Sequence, residues 1–277
     1  MTTIFLIVFG GYFAVCVFAW ARQRAFAYRP THDVAGSPDD VGLAFEDVTF
    51  PSANGRTLHG WMVCTPGARY TLLYCHGNAG NITHRVTSVR DFAARELSVF
   101  IFDYAGFGKS SGRPGEKATY NDALGAWDYL VSERGVPPDR IILFGRSLGT
   151  AVAIDLATRV DAAAIILESA FTSAPEVGAR AYPWLPVKLI SRYHYDSLKK
   201  VSQLRLPKLY VHSINDRTVP YGMGRRLFGR SREPKHWIKV RGAHDANYLI
   251  PGSEYDRELR AFVADLEGPA REIPRLV

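Results

Sequence analysis

Residues Arg140–Ile154 read RIILFGRSLGTAVAI, and the reading of the whole chain turns on them. An apolar run, Ile141–Phe144, stops at Gly145-Arg146-Ser147-Leu148-Gly149, and a small, apolar, helix-compatible run begins at Thr150. The pattern predicts a strand, a tight turn and a helix, with a serine at the apex. The flanking glycines let the backbone turn sharply and let helix and strand approach closely, which lifts the Ser147 hydroxyl into the open. Gly-x-Ser-x-Gly alone arises by chance in a chain this long on the order of one time in ten. Its flanks, strand before and helix after, give it weight.

A serine hydroxyl is a poor nucleophile at neutral pH and needs a base within reach and a third group to orient that base. In an open parallel sheet the reacting groups gather at the carboxyl ends of strands. Asp216 follows the predicted strand Lys208–His212, and His244 follows Trp237–Val240. The order Ser147, Asp216, His244 is the one this architecture uses. Two other acids stand nearby: Glu168 ends the predicted strand Ala163–Glu168, and Asp245 adjoins His244 but would point elsewhere. An oxyanion wants two fixed backbone N–H donors. Leu148 supplies one at the helix N-terminus, where the dipole also helps, and Asn78, in the loop after the strand Thr71–Cys75, is the best placed for the other. His76 in that loop is expected to brace it, Asp103 to serve turn chemistry, and His212 to be a satisfied core histidine. His32, His59, His84, His194 and His236 read as surface or packing residues.

The totals narrow the alternatives. The chain has 277 residues, 47% hydrophobic and 22% charged, an ordinary globular composition with ample core. A net charge of +7 is compatible with anionic partners, yet no nucleic-acid module or aromatic-interleaved basic run is present. Three cysteines make no disulfide framework. Cys16 lies in an apolar segment, and Cys64 and Cys75 in predicted strands, where they read as buried free thiols. No Cys/His spacing resembles a metal site. The turn Asp103–Gly108 lacks the ending of a phosphate-binding loop.

Thr2–Ala21 is uncharged and rich in Ile, Leu, Val, Phe and Ala. About twenty helical residues at roughly 1.5 Å each cover the ~30 Å hydrocarbon core of a bilayer. A cleavable signal peptide would need a basic start, which MTT lacks, although Ala19-Trp20-Ala21 imitates a cleavage site. A retained single-pass anchor fits the length, the aromatic edge at Trp20 and the arginines Arg22, Arg24 and Arg29 beyond it, which place the main domain on the cytoplasmic side. Residues 22–44 then read as a linker, with Tyr28–Gly42 a tether without hydrophobic period. The main domain is 45–266, and 267–277 is a Pro-containing tail.

Strands are expected at Phe45–Phe50, Thr57–Val63, Thr71–Cys75 and Ser98–Phe102, and helices at Thr83–Glu96, Thr119–Arg134, Tyr221–Gly229 and Ser253–Leu266. Strands alternating with helices point to a mostly parallel α/β sheet covered on both faces. Phe171–Leu206 breaks the alternation.

Taken together, Gly145–Gly149, His76-Gly77-Asn78-Ala79, the turn Asp103–Ser110, Asp216 before Val219-Pro220, and His244 resemble the α/β-hydrolase superfamily. More narrowly, Leu167–Ser173 and Pro183–Pro186 resemble membrane-anchored abhydrolase-domain proteins, a group that includes relatives of protein depalmitoylases. The resemblance covers roughly Phe45–Leu266. It implies an eight-stranded, mostly parallel sheet flanked by helices, a short helical cap at 171–206, a Ser/Asp/His triad and no cofactor. Ser213 departs from the group, many of whose members carry glycine there, and this touches loop shape.

The expected activity is hydrolysis of carboxylic esters or thioesters of acyl chains through an acyl-enzyme, with an acyl substrate, lipid included, as partner. An aminopeptidase-type amidase would need acidic residues for the substrate amine, and the cap holds only Glu176 and Asp196 against several basic residues. A non-catalytic membrane scaffold is the remaining alternative. A haloalkane dehalogenase is excluded because its nucleophile is a carboxylate. The cap reads as a short helical cover packed on the core; its apolar run Ala181–Ile190 beside Lys188, Arg192, Lys199 and Lys200 also suits an acyl-binding lid with a basic rim facing anionic lipid.

Overall fold

The computed structural model describes residues 1–266; the predicted tail, 267–277, lies outside the described residues. Short β-branched and aromatic runs form the strands β1 (Glu46–Pro51), β2 (Thr57–Val63), β3 (Tyr70–Cys75), β4 (Leu97–Asp103), β5 (Ile141–Arg146), β6 (Ala164–Glu168), β7 (Lys208–Ser213) and β8 (Lys235–Val240). They make one sheet in the order β1-β2-β4-β3-β5-β6-β7-β8. β2 runs antiparallel to β1 and to β4, and every other pairing is parallel. The eight-stranded sheet is therefore mixed, mostly parallel, as expected.

The helices are α1 (Thr2–Ala21), α2 (Gln23–Ala27), α3 (Val86–Ala93), α4 (Glu116–Asp128), α5 (Leu148–Ala157), α6 (Ala174–Ala181), α7 (Val187–Ile190), α8 (Ser197–Val201), α9 (Tyr221–Arg230) and α10 (Glu254–Asp265). Because side chains alternate across a strand, each central strand feeds two cores. Leu73 and Cys75 of β3 and Ile141 and Leu143 of β5 face one core, with Trp127 of α4, Val152 of α5 and Leu227 of α9. Leu72, Tyr74, Ile142 and Phe144 face the other, with Phe92 of α3 and Phe262 of α10. Both faces of the sheet are covered, which is why its strands read as unbroken apolar runs.

α1 differs from all the other helices. It is apolar on every side and only Ala19 in it is buried. Among the described residues it is the helix long and apolar enough to cross a membrane.

Several expectations change in detail. The helix expected at Thr83–Glu96 is a 3-10 turn, Ile82–Arg85, followed by α3, because the Asn81 side chain accepts from Thr83 N and restarts the chain. It ends early, since Glu96 takes a φ of 60° to turn into β4. Cys64 is exposed rather than buried: β2 stops at Val63, and the chain leaves the sheet as Thr65 N donates to Ser98 Oγ. Cys75 is buried.

The segment expected as a tether is packed instead. Tyr28 is buried, its hydroxyl bonded to that of Tyr195 at 2.7 Å and its ring edge-on to Tyr193. Arg29–Pro30 pairs in parallel with Ala79–Gly80, in the loop after β3. Asn81 donates to Thr31 O and Asp33 O, fastening the same strap further along.

Candidate active site

The turn between β5 and α5 is as tight as its glycines allow. A Cβ on Gly145 would stand 2.4 Å from Gly149 O, and one on Gly149 would stand 1.9 Å from Cys75 O. Ser147 between them has φ 53° and ψ −119°, a conformation rare for a residue with a side chain and typical of strained functional turns. The surrounding contacts hold it there: Ser147 N donates to Glu168 O, and Thr150 N and Oγ1 both donate to Ser147 O.

Three side chains from three strand ends meet at this turn. Ser147 Oγ lies 2.9 Å from His244 Nε2, and His244 Nδ1 lies 2.7 Å from Asp216 Oδ2. The tautomer that satisfies both contacts carries its proton on Nδ1 and accepts from the serine. Asp216 is buried, and its other oxygen accepts from Thr218 N and Val219 N. Burial alone would raise its pKa, but the bonds from His244 and the Val219 amide more than offset this, and the carboxyl is held below its ordinary range.

Glu168 and Asp245, the other acids in view, do not join this set. The buried Glu168 carboxylate lies 3.8 Å from the Arg146 guanidinium, with its pKa raised by burial. His212 is buried, with Nε2 bonded to Val219 O and the ring stacked on Trp237, as a core histidine should be.

Opposite the imidazole stands the loop after β3. A Cβ on Gly77 would be 3.6 Å from Ser147 Cβ, so that loop lines the turn directly. His76 braces it: the ring is fully buried, bonded through Nδ1 to Gly77 O at 2.7 Å and packed on Tyr104 and Phe107. Burial pushes its pKa down to about 4, which keeps it neutral. The side chain of Asn78 points away, donating to Ala27 O, and its carbonyl accepts from Arg29 N. That leaves the main-chain N–H as the group Asn78 could offer, alongside the Leu148 N–H at the start of α5. Asp103 does not cap its own turn as expected: it lies against Gly108, but its side chain reaches across to accept from Ile82 N in the loop before α3, and Gly108 N donates to Thr31 O instead.

Arg146 was not legible as part of the site. Its Nη2 donates to Ala246 O at 2.6 Å and His244 O at 3.3 Å, so the variable residue of the Gly-x-Ser-x-Gly turn holds the histidine loop. The one sequence signal was a charge in a turn whose neighbours are all small or apolar. Ser213 also ties loops together: its hydroxyl donates to Gly242 O and accepts from Asn215 N, joining the loop of Asp216 to that of His244. A cleft of about 190 Å³ lies elsewhere, bordered by His32, Asp47, His59, Trp61 and Lys109 and not by Ser147. Among the described residues no group of three or more His, Cys, Asp or Glu could hold a metal ion.

A mostly parallel eight-stranded sheet with a strained serine turn after its central strand is the architecture of the α/β hydrolases. Comparison with known proteins agrees. The model of the serine aminopeptidase S33 family of hydrolases matches residues 66–198. An uncharacterized protein of Mycobacterium tuberculosis is 35% identical over 254 residues, 91% of this chain and 90% of its own. Alpha/beta hydrolase domain-containing protein 17B of Xenopus laevis is 34% identical over 221 residues, 78% of this chain and 74% of its own. A Pyrococcus furiosus esterase aligns with a TM-score of 0.73 over 86% of this chain and 98% of its own, at 19% identity, a likeness of fold. The chain belongs to the α/β-hydrolase family.

Proposed function

We propose that the protein is a membrane-anchored serine hydrolase that cleaves carboxylic esters or thioesters of acyl chains. One observation carries this reading: the serine hydroxyl, the imidazole and the carboxylate stand in line at 2.9 and 2.7 Å around a strained turn. In this reading Ser147 Oγ attacks the acyl carbonyl while His244 takes its proton. Asp216 holds the imidazole and stabilises its charged form. The carbonyl oxygen, now an anion, receives the N–H groups of Leu148 and Asn78. His244 then gives the proton to the departing alcohol or thiol, leaving the acyl group on Ser147. Water, deprotonated by the same imidazole, releases the acid and restores the serine.

α1 is the anchor in this reading, with the hydrolase domain on the cytoplasmic side. Its length and its all-round apolar surface support the first point, and the arginines beyond Trp20 the second. The matched family's aminopeptidase name raises amide hydrolysis as a rival. Both cap carboxylates are already engaged: Glu176 is paired with Arg226, and Asp196 caps α8 through Lys199 N. Glu176 thus already faces a cation of the protein itself, and Asp196 serves the start of α8.

The test is labelling by a fluorophosphonate probe, together with turnover of a short p-nitrophenyl ester. Ser147→Ala is expected to abolish both. Unchanged labelling of that variant would refute the assignment. Aminoacyl amides turned over faster than acyl esters would favour the amidase instead.

A further inference from the structure

The cap and the apolar helix touch at several levels. Midway along α1, the Tyr12 hydroxyl donates to Trp184 O at 2.9 Å. Near its end, the Arg192 guanidinium lies 5.1 Å over the Trp20 ring. Just beyond, Gln23 clasps the cap chain from both sides, its Nε2 donating to Ile190 O at 2.5 Å and its Oε1 accepting from Arg192 N at 2.7 Å. Phe26 meets Tyr182 edge-on. The cap therefore touches the C-terminal half of α1 at Tyr12 and Trp20 and continues along α2 at Gln23 and Phe26.

Simple geometry gives the depth. At 1.5 Å per residue, Tyr12 stands about 13 Å along the axis from Ala21, close to half of a ~30 Å hydrocarbon core. Tryptophan settles at the head-group level, so Trp20 and the arginine upon it mark the boundary. The turn at Trp184, which reaches Tyr12, therefore lies inside one leaflet, while Tyr182 and Ile190, at the levels of Phe26 and Gln23, stay at its boundary.

The segment is built for that place. Tyr182–Ile190 reads YPWLPVKLI, and Trp184 and Leu189 are 57% and 87% exposed. Backbone polar groups are costly in hydrocarbon unless bonded. Here Pro183 and Pro186 carry no N–H, and the N–H groups of Leu185, Val187, Leu189 and Ile190 donate to carbonyls of the same segment. The Trp184 carbonyl has Tyr12. Lys188 is the segment's charge, long enough to snorkel, and lies near enough to Glu176 to act on that carboxylate.

We propose that the turn Pro183–Leu189 is a wedge dipping into the leaflet beside α1, and that the Ser147 site takes acyl esters resident in that same leaflet. This rests on the reading of α1 as an anchor and of Ser147 as the nucleophile. The site is close to the membrane for a second reason. The Asn78 loop is bonded to Ala27 and Arg29, and Ala27 follows Ala21 by only six residues, across the short break at Arg22. The reacting carbonyl would thus sit just outside the hydrocarbon, at the depth of a lipid's ester groups.

The experiment uses the full chain in phosphatidylcholine/phosphatidylglycerol vesicles, in a background with Cys16 and Cys64 replaced. A polarity-sensitive fluorophore is placed at Trp184→Cys, at Leu189→Cys, or at Asp161→Cys before β6, at the far end of the sheet. The wedge predicts blue-shifted emission at 184 and 189, quenched more by mid-chain than by head-group spin labels, and neither effect at 161. Water-like emission at 189, matching 161, would overturn it, as would equal shielding of 189 in protein assayed without vesicles. In a second arm, Trp184→Asp/Leu189→Asp should lower turnover of a vesicle-embedded long-chain ester at least tenfold relative to a soluble short ester. Equal effects on both would also overturn it. Failure of the serine-hydrolase reading looks different: Ser147→Ala would keep its turnover while the depth readings stood.

Discussion

The guanidinium of Arg146 donates to the carbonyl oxygen of Ala246 at 2.6 Å, bridging two residues a hundred positions apart. It also lies 5.6 Å over the Tyr248 ring, so the loop that carries His244 is held to the serine turn from below. A charged hydrogen bond of this kind is worth about 1.5–3 kcal/mol. More important is placement, since a misplacement of about 1 Å can cost roughly 10²-fold in rate. Arg146→Leu is expected to lower kcat for a short ester about 10- to 100-fold with little change in KM, the fold remaining intact by circular dichroism. Unchanged kcat would show that the loop holds its histidine without this arginine.

The strap that follows α1 makes a second prediction. Arg29 N and Ala27 O both engage Asn78, and Asn81 donates to Thr31 and Asp33 carbonyls, so the loop facing Ser147 is built partly from residues near the N-terminus. Two truncations separate the apolar helix from the strap. Removal of residues 1–22 should leave turnover of a soluble short ester within about threefold, because the strap remains. Removal of residues 1–33 should lower it on the order of 100- to 1,000-fold, the scale of losing one oxyanion donor. Similar activity in both truncations would mean that the loop is self-supporting.

These contacts explain what the amino-acid order did and did not disclose. Gly145, Ser147 and Gly149 were legible because a tight turn is a local event and its steric demands are written in neighbouring residues. Asp216 and His244 could be placed at the site because strand ends in a parallel sheet share one edge, a rule that needs only the alternation of elements. The strap and Arg146 were hidden because their partners lie far away in sequence. Tyr28 looks like one aromatic in a Pro/Gly stretch until Tyr195 meets it across the fold. Cys64 was read as buried in a strand, yet that strand ends at Val63 in expectation and in the fold alike, which leaves the thiol outside the sheet and exposed.

Gly149 yields the sharpest steric prediction. A methyl group there would fall 1.9 Å from Cys75 O and 2.8 Å from His76 O, both backbone atoms that cannot swing away. Relief would require α5 to withdraw from β3, which would open the core beneath Ser147 and carry the Leu148 N–H out of line. Gly149→Ala is expected to cost several kcal/mol, in the range of severe overpacking, and to be found largely insoluble or inactive. Gly222 of α9, whose Cβ would meet nothing, is the matched control and should accept alanine without loss. A well-folded, active Gly149→Ala would mean that the turn has slack.

Asp122 on α4 predicts a pH dependence of stability. It is fully buried; Oδ2 accepts from Ala105 N at 2.8 Å, and Oδ1 has no partner. Burial raises its pKa from 3.8 to about 7, against the opposing pull of the Ala105 amide and Arg56. The folded chain therefore holds a proton here over a range where the unfolded chain has released it. Linkage then sets the sign: this contribution to stability is fully present below about pH 4 and is lost as pH rises through about 7. A shift of about three units corresponds to roughly 4 kcal/mol at most. Asp122→Asn, which cannot ionise, should melt less steeply with pH between 5 and 8 and surpass the parent at pH 8. Identical Tm-against-pH curves for parent and variant would show that the carboxylate is ionised in the fold and satisfied by another route.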